Sequence, residues 1–87
     1  MPALRAAIKG RQKLRIAYRR IDGTPSIRTI RPLHMEYWGR VWTLTAWCEL
    51  RRDFRVFRVD LIENAEALPA LFVDEPGKTL ADYMARG

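Results

Sequence analysis

The residues best suited to chemistry in this chain are its arginines. Of sixteen cations, only Lys9, Lys13 and Lys78 are lysine, and the remaining thirteen are arginine. A guanidinium is planar and always charged, and it grips a phosphate or carboxylate through two parallel N–H bonds. A GC-rich genome produces the same bias, and a solvated basic surface fits it too. Five arginines stand out by position: Arg28, Arg31, Arg51, Arg55 and Arg58. Several convergent guanidinium groups, each neutralising a phosphate, are what nucleic-acid backbone binding requires. Structural ion pairing is the competing use, with Arg51 near Asp53 and Arg58 near Asp60. Arg11, Arg15, Arg19 and Arg20 read as a solvated face. Trp47 shares strand parity with Val41, Thr43 and Thr45, which makes it the candidate base-stacking surface. Trp42 alternates with Leu44, Ala46 and Cys48 and reads as core.

Other chemistries find little support. His34 is the only histidine and has no evident nucleophile beside it in sequence. Cys48 is the only cysteine, so a disulfide framework and a Cys-based metal site are both excluded within the chain. There is no glycine-rich phosphate loop. Glu63 and Glu66 make a poor acid–base pair. The expectation is a non-enzymatic module without metal or cofactor.

The elements that must position the arginines follow from periodicity. Leu4, Ala7 and Ile8 share one face of a short helix over Pro2–Lys9, stopped by Gly10. Lys13–Ile21 alternates as a half-buried strand, and Asp22-Gly23 is a turn. A second strand over Ser26–Tyr37 is interrupted at Pro32, which has no N–H to donate. The third strand runs Val41–Cys48 and the fourth Phe54–Val59, joined by a polar turn. A tight helical turn or a kink at 60–62 and a short closing strand over Glu63–Leu68 complete the body. From Pro69 the chain reads as a tail, with Thr79 capping a last short helix whose apolar face is Leu80, Tyr83 and Met84. The fold class is mainly β: a small bent antiparallel barrel of four or five strands with a short N-terminal helix and a C-terminal tail helix. Residues 1–68 form the domain and 69–87 the tail.

Charge divides along the same line. Up to Arg58 there are fourteen basic residues and four acidic ones; beyond it there are two and six. With 87 residues and a formal charge of +6, one basic domain followed by an acidic tail is expected. No apolar run is long enough to cross a bilayer, and the start lacks a signal-peptide pattern, so a cytoplasmic setting is expected.

Leu4 to about Leu68 resembles the WYL domain of bacterial transcription regulators. The resemblance rests on an ordered set: the helix Leu4–Ile8, the strand ending at Tyr18, Asp22-Gly23, Arg28-x-Ile30-x-Pro32-Leu33, and Gly39. It continues through Trp42-Thr43-Leu44 and Ala46 to Arg51-x-Asp53-x-Arg55-x-Phe57-Arg58-x-Asp60-x-Ile62. Two positions depart from the pattern. Thr43 replaces the namesake tyrosine, and Leu61 replaces an arginine. The resemblance implies an Sm-like barrel, usually fused to a helix-turn-helix DNA-binding domain. No room for such a domain precedes Lys13, so the chain reads as an excised domain or a stand-alone copy.

The expected function is a regulatory, effector-sensing module. Single-stranded nucleic acid or a nucleotide would bind through Arg28, Arg31, Arg51, Arg55 and Arg58 beside Trp47. The alternative is a protein-interaction or dimerisation module, with a homodimer as its simplest form.

Overall fold

The alternating residues form five antiparallel strands, flanked by two short helices. The structure is a computed structural model and describes residues 2–86. In chain order it comprises α1 (Pro2–Lys9), β1 (Gln12–Arg19), β2 (Pro25–Tyr37), β3 (Trp42–Cys48), β4 (Asp53–Arg58), a 3-10 turn (Val59–Leu61), β5 (Ile62–Leu71) and α2 (Leu80–Ala85). The strands lie side by side in the order β4-β3-β2-β1-β5.

Local chemistry sets each junction. Gly23, with φ of 90°, lets the chain reverse between β1 and β2, and the Asp22 carboxylate accepts the Thr24 N–H at 2.9 Å. In β2 the pairing with β3 slips between Pro32 and His34, leaving Leu33 as the extra residue. This is the bulge expected where a proline cannot donate to the ladder. β5 runs past Leu68 to Leu71, further than periodicity indicates. Its pairing with β1 breaks between Ala67 and Leu71, and Pro69 falls in that interruption. The Gln12 side chain donates to the Leu68 carbonyl at 2.8 Å, and Phe72 N–H donates to the Arg11 carbonyl at 2.8 Å. Those bonds keep the segment on the body despite the proline.

The sheet does not close into the expected barrel. β4 and β5 are its two edges, with β4 paired only to β3 and β5 only to β1. The 3-10 turn redirects the chain after β4, so β5 crosses to β1 instead of folding back on β4. Side chains bridge the gap instead. The Tyr18 ring on β1 meets Phe57 on β4 edge-on, with centroids 5.0 Å apart, and the Tyr18 hydroxyl accepts the Arg58 backbone N–H at 3.4 Å. The curled sheet encloses Leu14, Ile16, Ile30, Leu44, Ala46, Phe57 and Ile62, and Leu4 and Ala7 of α1 complete the cluster. A helix this short is stabilised by that docking and not by its own propensity.

The tail packs on the opposite, convex face. Trp47 on β3 meets Phe54 on β4 edge-on at 5.2 Å, and Tyr83 of α2 packs on Phe54 at 5.4 Å. Lys78 lies over the Trp47 ring, and Arg86 lies over Phe54 while pairing with Asp53 at 2.8 Å. Asp74 pairs with Arg11, and Glu75 with Arg31, both near 3 Å. The charge division seen in the sequence is thus a docking interface. α2 begins with a capping box in which Thr79 and Asp82 each accept the other's backbone N–H.

Arg31 is the centre of this contact, only 8% exposed. Its Nε lies 3.3 Å from Glu49, close enough for charge attraction but without hydrogen-bond alignment, while its Nη1 donates to Glu75 at 2.8 Å. Burial opposes its charge, but the Glu75 hydrogen bond and the two carboxylates outweigh that and raise its pKa. Glu75 is correspondingly lowered, by hydrogen bonds from Arg31 and Lys78. Asp74 is lowered by its hydrogen bond from Arg11.

Two outcomes are expected. Leu44 is fully buried at the centre of the cluster, so Leu44→Ala should cost about 2–5 kcal/mol in chemical denaturation. The depressed Glu75 and Asp74 stabilise docking fully above the ordinary carboxylate range and lose that contribution as pH falls through their lower folded values. Acid should therefore release the tail, seen as faster proteolysis after Leu71, and Glu75→Gln should already release it partly at neutral pH.

Candidate functional site

Strand parity decides which side chains enter the curled sheet. Leu14, Ile16 and Tyr18 on β1 point inward, as do Ile30 and Arg28 on β2, and Phe57 and Arg55 on β4. Arg55 is directly opposite Ala46, and Arg28 is opposite Ile16, both partners being core residues. At the end of the sheet that holds the start of β2 and the end of β3, the inward positions run out of apolar residues and become arginines. The result is a cleft of about 230 Å³ lined by Tyr18, Arg20, Ser26, Arg28, Cys48, Arg51, Arg55, Val56 and Phe57. Tyr18 and Phe57 also close the curl, so the cleft sits on a fixed base.

The electrostatics of the cleft are one-sided. Arg11, Lys13, Arg15, Arg19, Arg31, Arg58, Lys78 and Arg86 each pair with a carboxylate. Arg20, Arg28, Arg51 and Arg55 pair with none among the described residues. Arg28 donates only to the Ile27 carbonyl, at 2.9 Å. The nearby acid, Asp53, is committed elsewhere: it accepts the Phe54 backbone N–H at 2.8 Å and pairs with Arg86. Those two contacts, with smaller help from the Arg55 charge, hold its carboxyl below the usual range. The turn that presents Arg51 is closed by Arg52 at φ of 52°, whose N–H donates to the Cys48 carbonyl at 2.9 Å.

The arginines and the tryptophan singled out by sequence therefore separate. Arg28, Arg51 and Arg55 come together in the cleft. Arg31 lies on the convex face under the tail, between Glu49 and Glu75. Arg58 also projects outward and chelates Asp60 at 2.7 and 3.1 Å, which is the structural pairing weighed above. Trp47 is partly covered by Phe54 and Lys78. Arg20, read as solvated, lines the cleft; its inward parity with Leu14, Ile16 and Tyr18 was the available signal. Trp42 is not core. It is 38% exposed, with Arg5 over its ring at 4.9 Å and Tyr37 beside it at 5.0 Å. It starts β3 and so extends past the end of the enclosed space.

Thr43 projects to the convex side, where its hydroxyl accepts the Trp38 indole N–H at 2.9 Å. The missing tyrosine at that position is therefore no loss to the cleft. A larger cavity, about 450 Å³, lies between α1, the β2 bulge and the tail. Its charges, Arg11 and Asp74, neutralise each other, so it offers an ion little. Among the described residues no cluster of His, Cys, Asp or Glu could hold a metal, and no helix is long and apolar enough to cross a membrane.

Comparison with known proteins agrees with this architecture. A solved chain of proteasome accessory factor B/C (PafBC) of Arthrobacter aurescens superposes with a TM-score of 0.76 over 86% of this chain, at 24% identity. This chain spans 13% of that one, so the likeness concerns the fold of one domain. The family model for the WYL domain matches residues 1–67, which include α1, all of β1 to β4 and most of β5. The chain belongs to the WYL domain family.

Proposed function

We propose that this domain is a regulatory ligand-binding module that takes a nucleic-acid or nucleotide anion in the arginine cleft. One observation carries the proposal: four guanidinium groups without carboxylate partners among the described residues converge on one cleft, while eight of the other twelve cations are paired. Burying or crowding like charges is unfavourable unless an anion relieves it. Membership of the WYL family supports a regulatory role in transcription control and not a catalytic one. In this reading residues 1–68 are the binding module and 69–87 an accessory tail, acting in the cytoplasm beside a DNA-binding domain in a longer regulator. Arg28, Arg51 and Arg55 make the contacts with help from Arg20. Arg31, Arg58 and Trp47 would join only if the tail lifts or the Asp60 pair opens.

A second reading has its own support. The edges β4 and β5 are unpaired, and Tyr37 and Trp38 are 57% and 64% exposed, which suits a protein partner or a second copy. Light scattering tests the second-copy form of this reading: a monomer that binds anions supports the first.

Fluorescence anisotropy with labelled single-stranded DNA should show binding that weakens steeply with salt. Three to four neutralised phosphates correspond to a log–log slope of roughly −2 to −3. Arg55→Ala should weaken binding by about 1.5–3 kcal/mol without unfolding the domain. Arg15→Ala, whose side chain pairs with Glu66 on the convex face, should leave affinity unchanged.

A further inference from the structure

We propose that the cleft recognises a compact polyphosphate group, with or without a base attached, and does not read a run of bases. This rests on the anion-binding reading above and narrows its ligand. Three features of the cleft carry it.

The first is size. About 230 Å³ is below the roughly 300–1,000 Å³ of ordinary small-molecule sites, so the cleft suits a small group better than a whole nucleotide. A chain of phosphates fits such a space with its oxygens toward the walls.

The second is the kind of hydrogen-bonding group available. Four guanidinium groups supply donors only. The Ser26 hydroxyl donates its hydrogen to the Tyr18 carbonyl at 3.3 Å, and the oxygens of Ser26 and Tyr18 are the side-chain acceptors of the lining. Among the described residues no carboxylate or side-chain amide lines the cleft. The Watson–Crick edge of every base carries amino or imino hydrogens that need acceptors, and two hydroxyl oxygens, both already hydrogen-bonded, serve them poorly. Phosphate oxygens accept only, and they match the four guanidinium groups that dominate this lining.

The third is the absence of a stacking platform in the cleft. Sequence-tolerant strand binding depends on aromatic faces presented to the bases. The two aromatic residues in the lining are turned edge-to-face on each other, and Phe57 is only 7% exposed. The exposed rings Tyr37, Trp38 and Trp42 sit at the other end of β2 and β3, about 20 Å along β3 from Cys48. A base bound there could not belong to the nucleotide whose phosphate occupies the cleft.

The test is a titration of the whole chain, by calorimetry without divalent cations, against four probes. These are inorganic tripolyphosphate, orthophosphate, nucleoside triphosphates carrying a purine or a pyrimidine, and single-stranded oligonucleotides lacking terminal phosphates. Tripolyphosphate and both triphosphates should bind within about threefold of one another, with orthophosphate roughly tenfold weaker or more. Arg28→Ala and Arg51→Ala should each lose roughly tenfold in tripolyphosphate affinity, with an unchanged circular dichroism spectrum and unchanged Trp47 burial. A purine-to-pyrimidine difference above about tenfold would overturn the inference. So would binding that grows with oligonucleotide length and resists competition by tripolyphosphate, though the anion-binding reading would then stand. Failure of every probe to bind would remove both.

Discussion

The contact between Tyr18 and Phe57 sets the shape of the molecule. Five short strands cannot all be paired on both sides unless the sheet closes, and this sheet remains open between β4 and β5. An edge-to-face ring pair and one hydrogen bond from the Arg58 backbone to the Tyr18 hydroxyl hold the curl across that opening. The curl has two consequences. It buries Leu14, Ile16, Ile30 and Leu44 completely, and it gathers the arginines of two strands and two turns into one mouth. Stability and the candidate site thus depend on the same contact. A flat sheet with this sequence would scatter those charges.

The two faces of the sheet use charge in opposite ways. On the convex face Arg31 is buried, and each neighbouring charge has a partner, so the acidic tail acts as a bound ligand supplied by the chain itself. On the concave side the mouth is left without internal acids. Coulombic repulsion among guanidinium groups is tolerated there because they remain solvated and are held on strand ends and a turn. The domain keeps one arginine set satisfied for structure and another available for an external anion.

How much of this is legible in the sequence depends on what period-two alternation encodes. It states which face a residue takes, and on that basis α1, the strands, the Asp22-Gly23 turn, the Pro32 bulge and the Thr79 cap are all readable. It does not encode depth. Trp42 and Leu44 share a face, but the first residue of a strand projects beyond the enclosed volume, so the tryptophan is exposed while the leucine is buried. The same geometry moves Arg20, Arg28 and Arg55 from core parity into a solvated mouth. Arg31 could not be assigned from sequence, because its fate depends on Glu75, 44 positions away. Closure was likewise illegible: whether β4 meets β5 depends on the direction the chain takes after the 3-10 turn, which no local pattern specifies.

The central claim is that the unpaired arginines of the cleft, and not the paired ones, meet the anion. Nitrogen-15 NMR of the arginine Nε–H groups during a tripolyphosphate titration reads this residue by residue. The account predicts saturable shifts for Arg28, Arg51 and Arg55, with Arg31 and Arg58 unmoved because Glu75 and Asp60 retain them. Shifts confined to Arg31 and Arg58, or equal shifts across all exposed arginines, would contradict it.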